Sequence, residues 1–200
     1  MKKILNRKIL VIIGCSLLVM ALVSCAGMFH PPSKDEVAYT ELKEMGLSLD
    51  HYEKRELTLT QDDKAKIQVL LGHPLKYYPK GLTYYREIRH HYGEIGDIVP
   101  LYQETPYGRL VILVRIWWNS IDKIVVVENV TKEGKPVVND IFLSQFKGKT
   151  VSSSYKPVEN AQDLLSAQNN IRPIAGEPDI SREIADRLQE LMAIHAVDRF

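Results

Sequence analysis

The stretch that most constrains this chain runs from Gly108 to Lys149. Leu110-Val111-Ile112-Leu113-Val114-Arg115-Ile116-Trp117 is rich in β-branched and aromatic residues and too short for a comfortable helix, so the strand 109–117 is expected to be central and buried on both faces. Asn119-Ser120 breaks the run, and Ile121 to Val130 resumes the same chemistry. So short a connection permits only antiparallel pairing, because a parallel return needs a crossover of about a dozen residues. The hairpin is therefore expected at the core of a sheet. A turn over Lys132-Glu133-Gly134-Lys135-Pro136 follows, and then Phe142-Leu143-Ser144-Gln145-Phe146-Lys147-Gly148-Lys149.

At the start of the chain, Lys2, Lys3, Arg7 and Lys8 precede the apolar run Ile9 to Val23. That is the charged-then-apolar order of a secretory signal, and it is short for a membrane span of ~20 residues. Leu22-Val23-Ser24-Cys25 closes the run and resembles a bacterial lipobox, in which Cys25 becomes the lipid-modified first residue after cleavage. An uncleaved anchor is the competing reading, although nothing beyond Cys25 continues the apolar run. Either way the expected location is the cell envelope, tethered to a membrane. Ala26 in place of aspartate after the cysteine favours the outer membrane under the enteric sorting rule, the outer leaflet of the cytoplasmic membrane being the alternative. Three regions follow: a signal over 1–24, a lipidated tether with a short helix over 25–56, and an α+β domain over 57–200.

This processing bounds the chemistry. Of the two cysteines, Cys15 leaves with the signal and Cys25 carries lipid, so no thiol is expected for a disulfide, a cluster or a nucleophile. Losing the four signal cations takes the 26 basic residues to 22 against 25 acidic ones, which is no nucleic-acid footprint. His90-His91 invites a metal reading, but neighbours on a strand point to opposite faces and cannot chelate one ion, so no metal site is expected. Gly-x-Ser-x-Gly and His-x-x-x-His are both absent, and no catalytic residue is nominated.

The remaining elements follow from local signals. Ser33 to Glu36 forms a capping box ahead of Val37, Leu42 and Met45, a short helix. Thr60 caps a second helix carrying Ile67, Leu70 and Leu71, which Gly72 and Pro74 end. Thr83 to Tyr92, dense in aromatic and basic groups, reads as an exposed strand. Pro100 within Ile98 to Tyr102 suggests an edge strand. Glu104-Thr105-Pro106-Tyr107-Gly108 turns into the central hairpin. Asn139 or Asp140 caps a helix through Phe146, 161–168 is expected to be helical, and Ile184, Leu188, Leu191 and Met192 mark a final amphipathic helix with Asp179 as its cap.

The order of hairpin, Gly/Pro turn and Phe-x-x-Gln-Phe-x-Gly-Lys over 142–149 resembles the FMN-binding domain family, whose members include flavin-carrying subunits of sodium-pumping and Rnf-type membrane oxidoreductases. The resemblance spans roughly Leu57 to Met192. It implies an α+β fold, a curved antiparallel sheet with flanking helices. In that family a Ser/Thr-Gly-Ala-Thr-x-Ser/Thr-Ser run opens the last helix, and FMN is esterified through its phosphate to the threonine. Small residues let the backbone approach the phosphate, and the helix amino terminus supplies N–H groups and a favourable dipole. Here the chain reads Ala175-Gly176-Glu177-Pro178-Asp179-Ile180-Ser181. Pro178 stands at the threonine position without a hydroxyl, so covalent flavin attachment there is chemically impossible. Gly176 and Ser181 alone match. The family's Glu-Thr-Pro-Gly is echoed at Glu104 to Gly108, but before the hairpin and not after it.

Two functions remain open on these residues. One is non-covalent FMN binding in extracytoplasmic electron transfer beside membrane redox subunits, with Gly176 and Ser181 near the phosphate and Trp117, Trp118, Tyr84 and Tyr85 as candidate walls for the ring. The other is a scaffold or binding lipoprotein of an envelope complex in which the flavin site has decayed and no cofactor is held. Both make the chain an electron carrier or binding module, and neither makes it an enzyme by itself.

Overall fold

Unbroken burial along 110–116 organises everything else. The computed structural model describes residues 42, 51–89, 93–158, 171–198 and 200, which lie in the compact unit Tyr39–Phe200. The order is β1 (His51–Thr58), α1 (Gln61–Leu71), β2 (Gly81–Arg89), β3 (Gly93–Thr105), β4 (Gly108–Trp117), β5 (Ser120–Glu128), β6 (Thr131–Lys132), β7 (Lys135–Pro136), α2 (Asp140–Ser144) and α3 (Pro178–Asp198). The fold is α+β: an open five-stranded antiparallel sheet in the order β1-β2-β3-β4-β5, with a two-stranded β6–β7 ribbon and helices.

Every residue from Leu110 to Ile116 is buried, as the apolar run predicts. Leu110, Ile112, Val114 and Ile116 join Val99, Leu101 and Ile121 in one core with Ile184, Leu188, Leu191 and Met192 of α3. Each such side chain contributes about 1.5–3 kcal/mol on leaving water. The alternate residues Val111 and Leu113, with Ile98 of β3, are buried on the other face. There Tyr52, opposite Glu87, donates its hydroxyl to the carbonyl of the buried, helical Leu42 at 3.0 Å. The α1 capping signals hold: Thr60 and Asp63 form a reciprocal capping box, and Gly72 closes the helix at φ 77. At the β1–β2 junction only glycine fits, since a Cβ on Gly81 would lie 1.8 Å from the Leu57 carbonyl oxygen.

Several expectations need correction. The sheet begins at His51, upstream of the boundary expected at 57, because β1 pairs with the whole length of β2. That pairing makes β2 an inner strand, and Tyr84, Tyr85, Arg86 and Glu87 are buried where an exposed strand was expected. The 109–130 hairpin is half inside: β4 is internal, but β5 is the sheet edge and only partly buried. Pro100 lies in an internal strand, not at an edge. The β2 ladder stops at Tyr85–Ile98, so Pro100 pairs only with Leu113 of β4 and its missing donor costs no bond toward β2. The 132–136 turn is itself a hairpin, turning on Glu133 and Gly134 with φ of 55° and 75°. Leu70 faces outward, and Ile67 alone of α1 is buried. The helices expected over 33–46 (Leu42 excepted) and 161–168, His90-His91, and the signal with Cys25 lie outside the described residues.

Candidate functional site

The amino terminus of α3 is where Gly176 and Ser181 come together. Pro178 is the first helical residue, a position that suits its fixed φ and missing N–H, so the cap position falls on Glu177 and not on Asp179. Asp179 sits in the first turn, exposed, and pairs with Arg182 at 3.3 Å. Ahead of the helix, Ile174 and Glu177 are bridged across a tight turn in which Gly176 takes φ 80. Ser181 is fully buried; its Oγ accepts from the Ile174 N–H and donates to the Glu177 carbonyl, both at 2.8 Å. Its hydroxyl is spent on holding the turn against the helix.

Glu177 makes the contacts that the motif alone does not reveal. Its Oε1 accepts from Lys132 Nζ at 2.8 Å and from the Tyr107 hydroxyl at 3.0 Å. Lys132 comes from the β6–β7 ribbon and Tyr107 from the β3–β4 turn, so three separate segments converge on this carboxylate. The Lys132 ammonium, seconded by the Tyr107 hydroxyl, holds the Glu177 carboxyl below the usual glutamate range, and the same contacts raise the Lys132 pKa. An anion therefore already occupies the ground where the family resemblance places a flavin phosphate, and the anion is the chain's own.

The 142–149 motif supports this corner from beneath. Phe142 and Phe146 pack edge to face in the core at 5.3 Å. The Gln145 side chain grips the Arg172 backbone with both ends, Oε1 accepting from its N–H at 2.7 Å and Nε2 donating to its carbonyl at 3.1 Å. Gly148 donates to the Ile121 carbonyl at 2.7 Å, and Ile121 donates to that of Lys149 at 2.9 Å. The motif thus fixes the segment leading to Gly176 against the start of β5.

The nominated aromatic walls are elsewhere. Tyr84 belongs to the core, 4.9 Å from the Phe200 ring near the carboxyl end of α3. Tyr85 is buried on the opposite face of the sheet. Trp117 and Trp118 sit at the far end of β4 from Tyr107, roughly 30 Å away at about 3.4 Å per residue. None of the four stands beside Gly176 and Ser181, so these six residues do not assemble into one flavin cradle. Lys132 and Tyr107, which reach the residue just before the helix, are donors of a kind that suits a phosphate, but they are engaged by Glu177.

A different cavity opens along the sheet edge. A cleft of about 560 Å³ lies between β5 and α2, lined by Ile124, Val126 and Leu143 with Lys123, Lys147 and Asp140. That is room for a small ligand or a short peptide segment. Among the described residues no three His, Cys, Asp or Glu side chains gather to hold a metal, and no helix is long and apolar enough to cross a membrane.

No family model matches this chain, and no curated protein matches it. The signals for Glu177 as a site residue were partly present in the sequence, as negative charge in the phosphate position. Tyr107 and Lys132 carried none, because their partner lies 70 and 45 residues away.

Proposed function

We propose that the protein is a lipid-anchored envelope lipoprotein on an FMN-binding-like α+β fold, working as a non-catalytic binding or scaffold module in which the flavin site has decayed. The observation that carries this reading is the Glu177 carboxylate, bound by Lys132 and Tyr107 immediately before Pro178. A carboxylate in that position supplies the negative charge that a helix amino terminus and a lysine favour, with no cofactor needed. The cleft between β5 and α2 offers the binding surface. The anchor would be Cys25, lipidated in the outer membrane or in the outer leaflet of the cytoplasmic membrane.

A second reading, FMN held without a covalent bond in extracytoplasmic electron transfer, is favoured by one observation: Lys132 and Tyr107 do stand at the α3 amino terminus. FMN there would supply redox chemistry, and Lys132, Tyr107 and Gly176 would hold its phosphate in place of Glu177.

Colour and mass separate the two. Protein purified from an envelope compartment after co-expression with a flavin transferase is expected to be colourless, with a denatured mass equal to that of the apo chain. Yellow protein that releases its flavin on denaturation would establish the second reading. The double substitution Glu177→Ala with Pro178→Thr removes the internal anion and supplies an acceptor hydroxyl, and attachment to that variant alone would support the decayed-site reading. A covalent flavin on the unaltered chain would overturn both.

A further inference from the structure

The β4–β5 turn carries a feature that the proposed binding role does not use. Trp117 and Trp118 are the chain's two tryptophans, and they are 44% and 82% exposed at the tip of the hairpin. Trp118 also adopts φ 58, a left-handed backbone in the first loop position, where glycine or asparagine is ordinarily found. The fold thus accepts an unfavourable backbone and unburied apolar area together, at a site whose neighbours Asn119 and Ser120 bear no charge. Beneath the tip, the Arg115 guanidinium lies 5.2 Å from the Trp117 ring centre and is itself locked by Glu87 and Asp122. The presented surface is preorganised, not loose.

We infer that the Trp117–Trp118 tip is a membrane-interface contact, seating this end of the sheet in the headgroup region of the bilayer. Indole combines a broad apolar body with an N–H donor, and such rings concentrate at the boundary between hydrocarbon and water. The place of the tip decides for lipid. β1 starts at His51, opposite Ile88, and Tyr52 stands opposite Glu87, the residue that Arg115 grips two positions before Trp117. Leu42 is tied to Tyr52 at this same end. Leu42, the first described residue after Cys25, therefore lies at the tryptophan end of the sheet, and seventeen residues of chain span at most roughly 60 Å at about 3.4 Å per residue. This placement rests on the lipid-anchor reading. It turns the Glu177 corner, at the opposite end of β4, away from the membrane.

Because no other tryptophan is present, indole emission reports on the tip alone. The full chain, purified in detergent, is reconstituted into phosphatidylcholine vesicles with and without lipids brominated near the headgroup. The emission maximum is expected to move to shorter wavelength, and the shallow brominated lipid to remove most of the intensity. Because the tip is uncharged, adding anionic lipid should change the signal little. A lipidated chain whose indoles keep a water-like maximum and escape quenching would overturn the tip while leaving the anchor standing. If fatty-acid labelling shows Cys25 unmodified, the anchor fails separately, and the same chain mixed with vesicles still decides: quenched indoles support the contact and unquenched ones end it. Trp117→Ala with Trp118→Ala in a Cys25→Ser chain should partition into vesicles less than Cys25→Ser alone, with an unchanged melting temperature. A wavelength shift produced by an envelope protein without vesicles, and absent with them, would make the tip a protein interface and overturn the proposal.

Discussion

Arg115 and Glu87 meet as a fully buried bidentate pair across β3, Nε to Oε2 at 2.9 Å and Nη2 to Oε1 at 3.1 Å. The strand between them makes room by carrying Gly96, where a Cβ would come within 3.4 Å of Glu87 Oε2 and 3.1 Å of the Ile116 carbonyl oxygen. The two strands flanking β3 are thereby joined by charge as well as by ladder. Glu87→Ala strands a guanidinium in the interior, with the part-exposed Asp122 as its remaining carboxylate, and should cost roughly 3–5 kcal/mol in denaturant unfolding. Replacing both partners with Met should restore much of that loss; a single substitution costing under about 1 kcal/mol would mean that water reaches the pair.

Val114→Asp tests the central strand. Val114 is fully buried between Val99 and Ile124, and an unpaired carboxylate there has no partner. Loss of cooperative unfolding, or a cost above about 4 kcal/mol, is expected by calorimetry. A variant melting close to the parent would contradict the internal position of β4.

Glu190 is a buried acid with a structural task. Its two oxygens accept from the Lys76 and Tyr77 N–H groups at 2.7 and 2.8 Å, tying the segment between α1 and β2 to α3. Glu190→Ala should lower stability by about 3 kcal/mol through two lost charge-assisted bonds. Hydrogen exchange should show the Lys76 and Tyr77 amides losing protection before the sheet does.

The Glu177 corner should respond to acid. Its folded pKa lies below the unfolded glutamate value because of Lys132 and then Tyr107, so its contribution is present above the unfolded pKa, about 4.3. That contribution disappears as pH falls through the lowered folded pKa. An NMR titration should place the Glu177 carboxyl midpoint below that of an ordinary glutamate, and Lys132→Ala should move it upward. A midpoint unmoved by Lys132→Ala would show that the pair does not hold in solution.

Local chemistry alone determined much of this molecule. Thr60, Asp63 and Gly72 bound α1 because caps satisfy backbone groups within one turn, and the near-continuous apolar run from Leu110 to Ile116 demanded a strand buried on both sides. Pro178 excluded an ester at its position by composition. Tertiary structure decided the rest. Whether Tyr84 and Tyr85 face solvent depends on β1 pairing with β2, which no window around either tyrosine contains. Pro100 could sit in an inner strand only because the β2 ladder ends two residues earlier. Ser181 looked like a spare hydroxyl until Ile174 and Glu177 claimed both of its roles. The partners of Glu177 come from two distant turns, and the candidate aromatic walls were scattered between the core, the opposite face and the far end of β4. Side-chain periodicity tells which face a residue takes, but only the order in which strands pair tells what stands across from it.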